Sequence, residues 1–421
     1  MQAGRLADAR KQFDENETAL GTAQSTRDLL NEAARAENAG DLNLASRSFL
    51  QVLERNPAIP ESHLGLARIS LMIEQPEEAL TYARAAVKLA PQLAQSWTLL
   101  GLAHEATGEV AAAFSHLEKG ASLGARDYLA QYNLGRVLAA TGKPAQAVPY
   151  LLTACSLEPN RLEARLALGA AQLGLKQPAK AAESLELATK LSPDRPEAWS
   201  LLCDALFAQR KFAEARAVID RALDTVGEHP ALFDKAVACA VAQGDFEGAV
   251  GYLERLVALV PEYEQGWMQL AQLSVAAGDG ARSEAAARQL ISLDPENYEP
   301  WFHLGNLYDA LPDEAKAEDA YRHAVALAPE NWKVLMNFGT ALVQTSHATK
   351  HAEAKTLLTK AKELAPSGEW KPHYNLALAH VRLGEIAAAL ELVREIQRKA
   401  SAEDPIAQEA KKLESNLLER K

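Results

Sequence analysis

The sequence predicts an all-α chain built as a repetitive solenoid, and three observations carry that prediction. Alanine and leucine are abundant and aromatics make up only 6% of the 421 residues, which favours helix over strand because aromatic and β-branched residues are what strands enrich. Hydrophobic residues amount to 48% and charged ones to 24%, far from the composition of disorder and enough for a packed core along the chain. Prolines keep a fixed period: Pro57, Pro91, Pro159, Pro193, Pro261, Pro295 and Pro329 stand at multiples of 34 residues, with Ala125 and Gly227 filling two vacancies. A period of that length with helical spacing inside it means two helices per unit.

At the start, Gly4, Ala9 and Phe13 match the second half of a repeat with no first helix before it. Residues 1–25 therefore read as a partial repeat or an N-terminal capping helix, and a preceding segment is expected. Full repeats begin at 26, 60, 94, 128, 162, 196, 230, 264, 298, 332 and 370, an array over 26–399. Each first helix carries an i, i+3, i+4, i+7 stripe, as in Trp301, Leu304, Gly305 and Tyr308, the spacing of a face packed on a neighbour. Small residues at Gly101, Gly135, Gly169, Gly305 and Gly339 allow close approach to a second helix carrying Ala113, Ala147, Ala181, Ala317 and Ala354. The proline then stops or redirects that second helix. Departures occur at Ser283, Cys203 and Val237, where a smaller residue is usual, and at His63 and Arg165, where tryptophan is common. Repeat ten carries three extra residues in "TSHATKHAEA", a surface elaboration or a ligand-facing loop. Residues 400–421 read as a polar capping helix with Ile406, Leu413 and Leu417 on one side.

The recurring pattern of aromatic, Leu-Gly, aromatic, Ala, aromatic, Ala and Pro resembles the tetratricopeptide repeat family over nearly the whole chain. The resemblance implies a right-handed superhelical α-solenoid of about eleven helix-turn-helix repeats. It also implies an inner surface lined by the first helices, with repeat positions 2, 5, 6, 9 and 12 facing a ligand. Position 6 of the last four repeats is Gln269, His303, Asn337 and Asn375, side chains that both donate and accept and so suit the backbone of an extended peptide. Gln272, Asn306 and Lys371 add polar groups, and Met268, Phe302, Met336 and Tyr374 apolar ones. The row is similar to the asparagine ladder of a glycosyltransferase repeat superhelix at Asn337, Asn375 and Asn133. Asn306, Asn337 and Lys371 also fit the carboxylate clamp of co-chaperone members, but Phe302 and Asn375 stand where that clamp has cations. Nearer the N-terminus the same positions turn apolar at Leu99, Leu102, Ala167, Ala170 and Leu201, either a second, drier contact surface or residues covered by neighbouring repeats.

Several function classes drop out. A net charge of −12 with no Lys/Arg run disfavours nucleic acid. Cys155, Cys203 and Cys239 lie 48 and 36 residues apart and read as small core residues, with neither a disulfide framework nor a zinc motif. No Gly-rich phosphate loop, H-E-x-x-H or G-x-S-x-G is present, so no catalytic residue, cofactor site or metal site is assigned. His347 and His351, with Glu353 nearby, have spacing compatible with a metal but lack defined further ligands. No apolar run is long enough to span a bilayer and no signal-peptide core precedes the array; as the chain stands, a soluble cytoplasmic protein is expected over a periplasmic one. The sequence thus reads as a non-enzymatic scaffold that binds a protein or peptide partner in a concave groove, with self-association as a further possibility. The rival expectation is the recognition or assembly arm of a larger enzyme, such as a glycosyltransferase, or of an envelope machine.

Overall fold

The computed structural model describes residues 25–419 apart from 312 and 402; the half-repeat at Gly4, Ala9 and Phe13 lies outside the described residues. Those residues form 23 helices and no strand, in two compact units that divide after Gly227. The first unit has six hairpins: α1 (Thr26–Asn38) with α2 (Leu42–Arg55), α3 (Pro60–Met72) with α4 (Pro76–Leu89), α5 (Ala94–Ala106) with α6 (Val110–Leu123), α7 (Tyr128–Ala140) with α8 (Pro144–Leu157), α9 (Leu162–Gly174) with α10 (Pro178–Leu191), and α11 (Pro196–Ala208) with α12 (Phe212–Val226). The second has five: α13 (Pro230–Ala242) with α14 (Phe246–Leu259), α15 (Glu264–Ala276) with α16 (Gly280–Leu293), α17 (Tyr298–Ala310) with α18 (Glu314–Leu327), α19 (Trp332–Gln344) with α20 (Ala348–Leu364), and α21 (Lys371–Arg382) with α22 (Ile386–Lys399). A final helix, α23 (Pro405–Glu419), packs on α22 and touches α21.

Two devices set the helix ends. Prolines 60, 76, 144, 178, 196 and 230 sit at the first helical position, where the missing N–H is not needed. Elsewhere Asp41, Asp127, Asp245, Asp279 and Asp313 accept a backbone N–H from the first turn. In nine of the eleven hairpins the turn places one residue in the left-handed region, six of them with glycine at 40, 108, 142, 244, 278 and 384 and φ between 74° and 85°. Glu74, Lys176 and Arg210 occupy the same turn at φ 58°, 56° and 62°, against the preference of L-residues. The turns close alike: Gly108 N donates to Glu105 O and Glu109 N to His104 O, and Glu74 N donates to Leu71 O and Gln75 N to Ser70 O.

The 34-residue proline series serves a purpose that its spacing alone does not show. Each proline follows the C-cap of a second helix, and in five of the seven, from Pro57 to Pro261, its carbonyl accepts a side-chain N–H six residues on. Trp97, Trp199 and Trp267 donate through Nε1 to Pro91, Pro193 and Pro261 at 2.8 Å. Arg165 donates to Pro159 at 2.8 Å and His63 Nε2 lies 2.9 Å from Pro57 O, so both residues supply the N–H that tryptophan supplies elsewhere.

Small residues hold the hairpins together as expected, with one refinement. A Cβ at Gly101, Gly135, Gly169 or Gly339 would lie 2.5–2.7 Å from the Leu117, Leu151, Leu185 or Leu358 side chain, and at Gly305 2.5 Å from Tyr321. The glycine thus seats a large residue of the second helix, while the backbone carbonyls of Ala113, Ala147 and Ala354 stand 3.0–3.3 Å off. The extra residues of repeat ten are absorbed by helix: α20 runs 17 residues where most second helices run 14. Within each unit most first helices contact the first helix of the next repeat, as α5 does α7 and α19 does α21, whereas second helices make no comparable contact with each other. The first helices therefore converge on the inner side of each unit.

Candidate peptide groove in the second unit

Helices α15, α17, α19 and α21 carry the predicted groove residues, and polar groups of the last three bond to one another across repeats. Asn306 Oδ1 accepts from both Tyr321 Oη and Asn337 Nδ2 at 2.8 Å. Asn375 Nδ2 donates to Thr340 Oγ1 at 2.7 Å, and that hydroxyl donates to Met336 O at 2.7 Å. Burial pushes the Tyr321 phenol well above its ordinary value, which keeps it a neutral donor. With its oxygen doubly engaged, Asn306 has a fixed orientation that leaves its Nδ2 as a donor, and Asn337 keeps Oδ1 as an acceptor. Neither of these atoms has a protein partner among the described residues. One donor and one acceptor on adjacent repeats are the complement of a peptide unit.

Three of the predicted contacts need correction. His303 belongs to the packing of α17 on α16: its Nε2 lies 2.8 Å from Oγ of the fully buried Ser283, and burial lowers its pKa. The two departures from the repeat pattern thus answer each other. Asn375 is 7% exposed with its amide spent on Thr340, and Met336 is 6% exposed, because adjoining helices close over both. Met268, Gln269, Phe302 and Tyr374 are half-buried, and Gln272 and Lys371 are exposed. The Tyr374 phenol is raised by burial and by Glu409 of α23, so the last helix borders that end of the row.

The other candidates fall away on geometry. Lys371 stands without the companion cations of a carboxylate clamp, since Phe302 and Asn375 occupy those places. His351 is 6% exposed and its Nε2 lies 3.0 Å from Thr345 O, Glu353 pairs with Arg322, and no group of three potential metal ligands exists among the described residues. Asn133 bonds its own helix at Leu129 O. In the first unit Leu99 is 6% exposed, while Leu102 and Ala167 pack against core clusters; neighbouring repeats cover them, leaving Ala170 exposed.

Sequence reading missed a pairing between position 12 of one repeat and position 9 of the next. Glu37 pairs with Arg68, and Glu105 takes a bidentate contact from Arg136 at 2.9 and 2.5 Å. An acid and an arginine 31 residues apart at those positions is the signal that would have found them. In the second unit position 12 of repeat nine is Asp309, an exposed residue with no hydrogen bond or ion pair among the described residues, whose pKa is raised by the partial desolvation of its carboxyl.

Helical hairpins stacked in this way define a class of repeat scaffolds. The chain belongs to the tetratricopeptide repeat family: three of the family's models together match residues 30–407. Two general repeat models cover 30–162 and then 138–304 with a one-residue gap, and the cytochrome c-type biogenesis protein H tetratricopeptide domain matches 279–407. No curated protein matches in a sequence comparison. Solved structures similar in fold include pilF of Pseudomonas aeruginosa, 22% identical with a TM-score of 0.43 over 53% of this chain and 99% of that one. YrrB, a tetratricopeptide repeat protein with an unusual peptide-binding site, is 22% identical with a TM-score of 0.40 over 45% and 98%. Yeast Tom70 is 14% identical with a TM-score of 0.40 over 94% and 96%. These likenesses bear on the fold alone. The family is one of protein-interaction scaffolds, typically without enzymatic activity, and no helix among the described residues is long and apolar enough to cross a membrane.

Proposed function

We propose that this chain is a non-enzymatic scaffold whose second unit holds an extended segment of a partner protein along its inner face. The observation that carries the reading is the relay Tyr321–Asn306–Asn337, which fixes one amide donor and one acceptor in place before any ligand arrives. Pre-orientation lowers the ordering cost of binding. Gln269, Gln272 and Lys371 extend the polar row, and Met268, Phe302 and Tyr374 offer apolar contact. The test is affinity capture with the intact chain beside Gln272→Ala/Asn337→Ala, circular dichroism checking that helicity is unchanged. Partners retained by the first and lost by the second support the groove; identical capture by both refutes it.

A second reading has its own support. Residues 279–407, which include most of the relay-bearing repeats, match the cytochrome c-type biogenesis protein H domain, in line with an assembly arm of an envelope machine. Deleting the gene and staining for c-type cytochromes separates the two: loss of the stained proteins supports an assembly role, and unchanged staining removes it.

A further inference from the structure

We infer that an ionic clasp on the outer side of repeats nine and ten controls the inner groove: Glu318 and Arg322 of α18, with Lys350 and Glu353 of α20, hold the Asn306–Asn337 relay in its binding arrangement. This rests on the groove reading above and adds how the groove is regulated. Helices α18 and α20 do not pack on each other as neighbouring first helices do, and charged side chains bridge them instead. Arg322 donates to both carboxylate oxygens of Glu353 at 2.8 and 3.0 Å and to Glu318 at 2.8 Å. Lys350 Nζ donates to the other Glu318 oxygen at 2.6 Å. An isolated surface pair contributes little, but a bidentate arginine inside a network of charges holds a fixed geometry. The bonds from Lys350 and Arg322 keep the Glu318 carboxyl below its usual range.

Two buried rings join the clasp to the relay. The Arg322 guanidinium lies over Phe338 of α19, 5.5 Å from the ring centroid, within the range of cation–π attraction. Phe338 stacks on Tyr321 with centroids 5.6 Å apart and planes at 26°, and the two rings are only 2% and 1% exposed. Tyr321 donates the hydrogen bond that fixes Asn306, and Phe338 directly follows Asn337, the other member of the relay. A solvent-facing ion network and the free amide groups of the groove are thus connected by contacts without a break. Closely packed rings pass a displacement on, because the interior has no slack to absorb it. The clasp residues are positioning residues. Salt that screens them, or an outside partner that claims one of their charges, loosens the hold on Asn306, and the groove then binds even an uncharged segment less tightly.

The test follows the side-chain amide NMR signals of Asn306 and Asn337 in the intact protein, assigned from their alanine variants. Alongside it runs fluorescence anisotropy of an uncharged peptide selected on the protein from a displayed random library, with circular dichroism checking that each variant keeps its helicity. Arg322→Gln should shift both amide signals and weaken the peptide about fivefold. Arg282→Gln breaks outer ion pairs with Glu247 and Glu254 on another pair of second helices and should change neither. Raising salt from about 0.01 M to about 1 M, which cuts the screening length to about 3 Å, should weaken the peptide on the parent and not on Arg322→Gln. Amide signals and affinity unmoved by Arg322→Gln, or moved equally by Arg282→Gln, overturn the inference and leave the groove reading standing. A library that yields no peptide sensitive to Asn337→Ala overturns the groove reading, and this inference with it.

Discussion

Replacing Glu74, Lys176 and Arg210 together by glycine should stabilise the first unit. All three sit at φ between 56° and 62°, in turns where the other repeats place glycine. The left-handed region costs an L-residue about 1–2 kcal/mol, and glycine returns roughly 0.5–1 kcal/mol of that as added freedom in the unfolded chain. The net gain is about 0.5–1 kcal/mol per site, or roughly 2 kcal/mol for three. The three side chains are exposed and make no side-chain hydrogen bond or ion pair among the described residues, so their loss subtracts little. For a unit of this size about 2 kcal/mol corresponds to roughly 4–8 °C in melting temperature, read by calorimetry on the whole chain. The mirror experiment is Gly108→Ala, where an added Cβ would have nothing within 4 Å; any loss is then backbone strain alone, about 1 kcal/mol. A triple-glycine variant that melts at or below the parent, or a Gly108→Ala variant that melts no lower, would refute the reasoning.

Further expectations concern single contacts. Trp199→Phe keeps the apolar ring but loses the 2.8 Å bond to Pro193 O, and should cost about 1 kcal/mol in urea unfolding. Arg165→Trp should be nearly neutral, because tryptophan restores the same bond to Pro159. Ser283→Ala leaves half-buried His303 without its partner and should cost about 1 kcal/mol. Since burial holds the His303 pKa below its ordinary value, its neutral form supports the fold; stability is lost as pH falls below about 6.5 toward the folded value. Urea midpoints across that range should show this component missing in His303→Gln. Asp309 has the opposite sign. Its raised pKa means the ionised form opposes folding, so Asp309→Asn should be more stable than the parent near neutrality, with the advantage vanishing as pH falls below the ordinary carboxylate range.

The hairpin architecture was legible because its signals are local and repeated. The Pro57-to-Pro329 spacing and the Leu-Gly stripe recur often enough to fix eleven two-helix units. What stayed hidden depends on contacts between units of sequence. His303 reads as groove-facing from its own helix, yet Ser283, twenty residues earlier, claims it. Asn375 and Met336 occupy ligand-facing positions by register, but the closing of neighbouring first helices buries them. His63 and Arg165 look like losses from the pattern until the prolyl carbonyl six residues upstream shows that the pattern concerns an N–H donor. Asn306 looked like an accessory residue; as the acceptor for both Tyr321 and Asn337 it organises the row.

The most direct test of the groove is site-specific photo-crosslinking in living cells. A photoreactive residue would replace exposed Gln272 on the inner face or, as the control, exposed Gln289 on α16. The account predicts discrete adducts from position 272, their loss when Asn337→Ala is added, and none of the same adducts from position 289. The same adducts from both positions, or adducts from position 272 undiminished by Asn337→Ala, would contradict it.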